Sequence, residues 1–485
     1  MQDSKMSNEQ PDGQRNGLLA SNDLVYLLPP DLSVSVNQTH KNQYFQSTTY
    51  TNNQRGVCLL NTGADYGDMR HSSLEFGVSV QMPVKTQGAW FGRHGSVLNL
   101  IKSITISSRS GDELARIQDL NLLNYTQNGY RYDKEWHETI GQTIGLNQFL
   151  LPDTTDDKTY QEQRFSIPLY LLSDFFGYGR LLPPMVLSGL RIEIEWATPV
   201  EAFVAFDASA TGRNTGTPVG TVTSYTILNP YVSIRAVQLT DSTQRALNEM
   251  SAVNGLELVY CDYERTDRTN GGTSLHMEIR KAASRALKCV MTSRRTGDTS
   301  NKNKDSLRSE EWDVTRWQWQ LGSLYFPQQP VYSNHPDAPQ LKILAETYKH
   351  ALICYDKYRG TNNKSAATPL YRNGEAFSDS SELLNNATTT ALATPYKPIA
   401  GFQEQKDIGE PTSNFEYGTF VNGNAIVPVT LERSDLFNLS GVPINNSRVL
   451  AIRADFGSTQ DRTITTFLKY VRLARVFMTN VEVEQ

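Results

Sequence analysis

Near the middle of the chain stands Tyr231-Val-Ser-Ile-Arg-Ala-Val-Gln-Leu-Thr-Asp241, and at its end stands Tyr470-Val-Arg-Leu-Ala-Arg-Val-Phe-Met-Thr-Asn480. The two stretches lie 239 positions apart (470 against 231), about half of the 485 residues. Tyr231 answers Tyr470, Val232 answers Val471 and Thr240 answers Thr479, while Ile234/Leu473, Val237/Val476 and Leu239/Met478 pair by type. A chain that closes twice on the same kind of strand reads as two related domains in tandem.

A second correspondence lies upstream of each ending. Ser173-Asp-Phe-Phe176 matches Ser434-Asp-Leu-Phe437, and Leu190-Arg-Ile-Glu-Ile194 matches Leu450-Ala-Ile-Arg-Ala454. These offsets are 261 and 260, larger than that of the last strand. The excess is local, because residues 202–224 carry Gly212, Gly216, Pro218 and Gly220 where the second half has only residues 457–461. A surface insertion of that kind costs little free energy. The chain therefore divides into a disordered arm (residues 1–22), a first domain (23–240), a linking helix (241–254) and a second domain (255–485).

Alternation fills both halves. Leu74, Phe76, Val78 and Val80 fall on one side of a strand, as do Leu190, Ile192, Ile194 and Trp196 with Arg191, Glu193 and Glu195 between them. Similar strands are expected at residues 98–107, 276–279, 286–291, 317–321, 425–431 and 449–456. Apolar-in, polar-out alternation is the mark of half-buried antiparallel strands. Helices are few: one capped by Asp241 or Ser242 and ending near Ala252, one over residues 341–355, and one over residues 113–124. Many short strands with occasional helices in the connections indicate an all-β fold, two tandem eight-stranded jelly rolls.

Composition agrees. Hydrophobic residues make up 38%, modest enough to suit short strands and long polar loops. The net charge of −5 argues against a generally basic nucleic-acid binder. No apolar run reaches membrane-spanning length. Residues 1–17 are polar and lack the apolar stretch of a secretory signal. Cys58, Cys261, Cys289 and Cys354 are widely spaced and read as reduced thiols. Polar segments at 202–224, 293–311 and 359–394 are expected to rise from the sandwich ends as an outward crown, with ordinary disordered insertions the alternative.

Motifs for catalysis are missing. There is no phosphate-cradling glycine loop, no Gly-x-Ser-x-Gly elbow and no His-Glu-x-x-His helix. His137-Glu138 lacks a second histidine, and the turn Asp153/Asp156/Asp157 lacks EF-hand spacing, so both read as surface. The chain reads as non-enzymatic, with no catalytic, cofactor-binding or metal residue to name. One charge asymmetry remains: residues 280–308 hold nine basic residues against Asp298 and Asp305. Arg294, Arg295, Lys302 and Lys304 are candidates for nucleic acid or an acidic neighbour, weighed against an ordinary solvated strand and loop. Lys469, Arg472 and Arg475 sit on alternating sides of the last strand.

Three further stretches carry a resemblance. Ile167-Pro-Leu-Tyr-Leu-Leu-Ser-Asp-Phe-Phe176 is followed by Leu181-Leu-Pro-Pro-Met185 and Ser188-Gly-Leu-Arg-Ile-Glu-Ile194. The others are Trp319-Gln-Leu-Gly-Ser-Leu-Tyr-Phe-Pro-Gln-Gln-Pro330, read as a strand and Pro-rich turn, and Leu436-Phe-Asn-Leu-Ser-Gly-Val-Pro-Ile-Asn-Asn-Ser447. Together they resemble the double jelly-roll major capsid proteins of polinton-like viruses and virophages, whose architecture is adenovirus-hexon-like. The resemblance implies homotrimers with a pseudo-sixfold outline that tile an icosahedral shell of a DNA virus. It further implies penton and minor capsid proteins as partners, inner-surface contact with genome or membrane, and a place in the virion. It carries no cofactor or catalytic residue. Aromatic segments at 130–136 and 325–332 are candidate contact surfaces, with core packing the equal alternative for each ring. A two-domain β-sandwich attachment or carbohydrate-binding protein is the alternative from another class, and a sandwich-fold glycoside hydrolase a third.

Overall fold

The computed structural model describes residues 35–82, 87–92, 95–132, 136, 139–146, 149–150, 162–177, 179, 181–207, 222–253, 256–297, 306–307, 314–335, 338–342, 345–355, 426–431, 441–476 and 481–484. The first half contains twelve described strands. They are β1 Ser35–Tyr44, β2 Thr49–Thr51, β3 Arg55–Leu60, β4 Tyr66–Gln81, β5 Gln87–Trp90, β6 Ile101–Ser107, β7 Glu113–Gln118, β8 Phe149–Leu150, β9 Gln163–Pro168, β10 Leu190–Trp196, β11 Val204–Asp207 and β12 Ser224–Leu239. The second half adds β13 Leu256–Asn270, β14 Ser274–Ile279, β15 Ala283–Arg295, β16 Val314–Leu321, β17 Leu324–Tyr332, β18 Asn334–His335, β19 Ala338–Lys342, β20 Val427–Thr430, β21 Val442–Ile444, β22 Leu450–Phe456, β23 Arg462–Val476 and β24 Val481–Glu484. Three longer helices join them: α1 Leu120–Arg131, α2 Asp241–Val253 and α3 Ala345–Cys354.

The strand order is the same twice. In the first half one sheet runs β1-β12-β4-β9 and the other β3-β10-β6-β7. In the second half the sheets run β13-β23-β15-β20 and β14-β22-β16-β17. Followed along the chain, the strands cross between sheets in one sequence, and the first strand of each half pairs with its long closing strand, β1 with β12 and β13 with β23. Wrapped antiparallel strands in that order form a jelly roll. The two quoted endings, through residue 476, are the equivalent strands β12 and β23, and Leu190 and Leu450 each open the equivalent strands β10 and β22. Among the described residues no sheet mixes strands from the two halves.

Each sandwich is held by its inward alternation. Leu74, Phe76, Val78 and Val80 of β4 are buried against Ile104, Ile106, Ile192 and Ile194 of the opposite sheet. Trp196 lies edge-on to Phe76 at 5.4 Å. The second interior is separate and centres on Trp317, Trp319, Ile452, Leu468 and Met291. At about 25 cal/mol per Å² of buried apolar area, these interiors supply the main favourable term in folding. Sharp corners need glycine: Gly189 takes φ +92 to turn the chain into β10, and Gly441 takes φ +96 before β21.

Several expectations change. Residues 113–118 form strand β7 rather than helix, and α1 begins only at Leu120. Leu114 and Ile117 have helical spacing, but pairing with β6 overrides that local preference. Residues 341–342 finish β19, so α3 starts at Ala345. The segment 202–224 is structural at its start, where β11 pairs with β5. Segment 293–311 likewise buries Leu307. The Pro-Gln-Gln-Pro stretch lies inside β17 as an outward bulge, with Gln318 Nε2 donating to the Pro327 and Gln328 carbonyls at 3.0 Å each. Residues 1–22, 137–138, 153–157, 359–394, 434–437 and 477–480 lie outside the described residues.

Candidate functional site, the seam between the two sandwiches

The chemistry of this chain is concentrated where the second sandwich meets the first. Strand β13 of the second lies beside β7, the outermost strand of one sheet in the first. β7 has one paired edge, toward β6, and its other edge faces β13 and β23. Tyr260 Oη donates to the Leu114 carbonyl at 2.5 Å, and Arg472 Nη2 donates to the Glu113 carbonyl at 3.0 Å. The Arg116 backbone N–H donates to the Asp262 carboxylate. A strand edge that would otherwise expose orphan peptide groups is thereby satisfied by side chains.

At the centre is an ion pair sealed from water. Arg472 Nη1 lies 2.8 Å from Asp262 Oδ2, and their side chains are only 5% and 2% exposed. Asp262 also accepts the Tyr263 backbone N–H at 2.9 Å. Burial pushes the Asp262 carboxyl above its ordinary value, opposed by Arg472. The surrounding Tyr260, Leu258, Ala474 and Val476 join the interior of the first sandwich. Phe175 meets the Tyr260 ring edge-on at 5.1 Å.

Two more polar contacts flank that centre. Asp174 accepts Lys469 Nζ at 2.5 Å and lies 3.5 Å from Arg131 Nη2. Burial alone would raise the Asp174 carboxyl, but Lys469 and Arg131 outweigh it and hold it below the usual carboxylate range. On the far side Asp119 Oδ2 lies 2.9 Å from Arg265 Nη2. Asp119 occupies the N-cap of α1 at φ 48 yet makes no capping bond with its side chain. A cap worth about 1 kcal/mol is thus forgone, and the carboxylate reaches the other sandwich instead. Ser306 Oγ donates to the Val200 carbonyl at 2.9 Å, and Tyr130 of α1 stacks on Tyr355 just beyond α3 at 6.0 Å.

The residues singled out from sequence fall unevenly on this map. Arg472 and Lys469 stand in the seam, whereas Arg475 pairs with Glu257 at 3.3 Å in a more open position. Arg294 is half-buried and donates to the Ser306 carbonyl at 3.2 Å. Lys288 is turned onto the Tyr355 ring at 4.2 Å, and Lys281 pairs with Glu264 at 3.2 Å. Lys281, Lys288 and Arg294 of the basic stretch are thus engaged within the chain, whereas Arg280 stays 85% exposed beside Glu278. Lys302 and Lys304 lie outside the described residues. Tyr130 is buried, and Tyr132 and Trp136 stack at 3.8 Å and pack half-buried against the first interior, so these three rings serve packing; residues 133–135 lie outside the described residues. Tyr325 and Tyr332 are exposed. Asp262 escaped the sequence reading, although a carboxylate following Leu258 and Tyr260 on one side of a strand was the available signal.

Beside the seam is a groove lined by Arg55, Lys102, Arg116, Glu193, Glu195 and Arg265. Its charges are matched, Arg55 with Glu193 at 3.3 Å and Lys102 with Glu201 at 3.6 Å. No aromatic ring lines it to stack on a sugar. Among the described residues no group of three metal-ligating side chains occurs, and no helix is long and apolar enough to cross a membrane. None of the four cysteines is in a disulfide.

The arrangement of two sandwiches matches solved structures. The major capsid protein of Faustovirus superposes with a TM-score of 0.53 at 8% identity, over 95% of this chain and 94% of that one. The Sputnik virophage structure superposes at 0.52 and 9% identity, over 100% and 92%. The mavirus major capsid protein gives 0.50 and 9%, over 100% and 95%. No protein-family model and no curated protein sequence matches the chain. At such low identity the likeness establishes the fold, and that fold is the double jelly roll.

Proposed function

We propose that the protein is a major capsid protein whose homotrimers tile an icosahedral viral shell. The seam is the observation that carries this reading. Two copies of one sandwich are locked at a fixed angle by buried ion pairs and rings, giving a rigid two-lobed block instead of two tethered modules. Three such blocks present six similar lobes, so one polypeptide serves a hexagonal lattice site. The proteins of like fold named above are capsid proteins or come from virus particles, which supports the same reading.

In this role the protein performs no catalysis. Its work is to bury its flanks against copies of itself, with many modest contacts adding up over a shell. Penton and minor capsid proteins would complete the particle, and the inner surface would face genome or membrane. Size-exclusion chromatography with light scattering tests the proposal: a stable species of about 163 kDa, three times 54.4 kDa, is expected. A monomer at every concentration, retained on a glycan array, would instead establish an attachment protein.

A further inference from the structure

The seam uses two kinds of surface, and the repeat supplies each of them once more. Inside the chain, the β13–β23 pair of the second sandwich covers the free edge of β7. The equivalents left over are the β1–β12 pair of the first sandwich and the free edge of β17 on the second. Five of the eight large apolar side chains exposed among the described residues lie on β1 and β17. They are Val36 and Tyr44, 64% and 67% exposed, and Leu324, Tyr325 and Tyr332, 48%, 37% and 42% exposed. Concentration of apolar surface on two strands marks an association face.

Register sharpens the correspondence. Tyr231 faces Tyr44 across its ladder, and Tyr470, its repeat partner, faces Asp262. Tyr44 therefore stands where the buried carboxylate of the seam stands in the other half. It is held there by the Tyr231 ring at 5.6 Å, and Tyr231 Oη is fixed on Glu75 at 2.5 Å. On the opposite surface Tyr332 is hydrogen-bonded to Arg316, and Arg453 lies over the Tyr325 ring at 5.8 Å. These rings are pre-positioned, as contact anchors commonly are.

We infer that β17 of one copy docks against the β1–β12 face of the next, repeating between chains the contact that β7 makes with β13–β23 within a chain. Tyr44 is the anchor on one side, and Leu324, Tyr325 and Tyr332 are the anchors on the other. The surfaces are unlike, so the contact is head-to-tail and closes into a ring when the rotation divides a full turn. This inference rests on the trimeric reading and names the surfaces that produce it.

The test compares the wild type with Tyr44→Glu, Tyr325→Glu and Leu59→Glu. Leu59 is also exposed but lies on β3, at the edge of its sheet opposite β7. Circular dichroism and melting first establish that each variant is folded. The expected result is a trimer for wild type and Leu59→Glu. The trimer dissociation constant should rise by about tenfold or more for each of the other two. Hydrogen exchange on the wild-type trimer, compared with diluted monomer, is expected to protect β1 and β17 and serves if a variant misfolds. Trimers that survive both tyrosine changes, or protection confined to other strands, overturn the inference while leaving the trimer intact. A wild type that never trimerises overturns the reading beneath it.

Discussion

Replacing Arg472 by Met isolates the buried pair of the seam. Methionine approximates the apolar stem of arginine, so packing against Tyr260 and Ala474 is largely kept and the charge is lost. Asp262, 2% exposed, would keep only the N–H groups of Tyr263 and Arg116 and a Tyr470 hydroxyl at 3.4 Å. Stripping one partner from a buried pair costs about 3–5 kcal/mol, chiefly through the orphaned charge. The pH dependence follows from that orphan. Burial already raises the Asp262 carboxyl above its unfolded value, and without Arg472 nothing of comparable strength opposes it. A group whose folded pKa is raised favours folding at low pH and loses that contribution as pH climbs through the folded value. The variant's deficit is therefore largest at about pH 8 and shrinks on acidification toward about pH 5. The double variant Arg472→Met/Asp262→Asn removes the charge and should recover about 2 kcal/mol of the loss, with a flat pH profile. Urea unfolding followed by tryptophan fluorescence at several pH values measures all three proteins. A double variant no more stable than Arg472→Met at neutral pH, or a pH-independent Arg472→Met, would refute the argument.

Other expectations follow from the same contacts. Asp174→Asn leaves Lys469 without its carboxylate and should cost about 3 kcal/mol near neutrality. Because the Asp174 carboxyl sits below its unfolded value, its contribution disappears as pH falls below about 4, where wild type and variant should converge in urea titrations. Trp319→Ala, at a site with no exposure, should cost about 3–5 kcal/mol and lower the melting of the second sandwich specifically. Burial pushes the Cys58 thiol up to about 12, so a thiol reagent at about pH 8 should modify Cys261, the one cysteine not fully buried, well before Cys58. Peptide mapping after brief labelling reads the order.

Most of the architecture was legible because burial imposes period two. The strands at 74–80, 190–196, 317–321 and 450–456 show alternation strong enough to outweigh local preference. β7 was not legible, since Leu114 and Ile117 suit a helix and its strand state depends on β6 and on a partner more than 140 residues away in sequence. The seam was half legible. Arg472 was visible as a cation on a closing strand, but only the fold brings it to Asp262, from a strand that starts at Leu256. The rings of segment 130–136 stayed open between contact surface and core because exposed and buried aromatic clusters look alike in sequence, and for Tyr130 the stack on Tyr355 decides.

The divergence of the two halves explains why one contact is charged and the other aromatic. The positions occupied by Asp262 and Arg472 in the second half are held by Tyr44 and Ser233 in the first, by the registers of Tyr470 and Tyr231. A contact between two lobes of one chain forms at the high effective concentration that tethering provides. It can therefore absorb the desolvation cost of a dry ion pair, and it gains a geometry that tolerates little slippage. A contact between separate chains must form from water at low concentration and pay translational entropy as well. Tyrosine suits that task, because it buries a large rigid surface with few rotors and keeps a hydroxyl for water beforehand. Transplanting the charged pair, as Tyr44→Asp with Ser233→Arg, should accordingly leave each chain folded and weaken trimer formation. Stronger trimers from that variant would mean that the two faces are interchangeable and that tethering did not shape them.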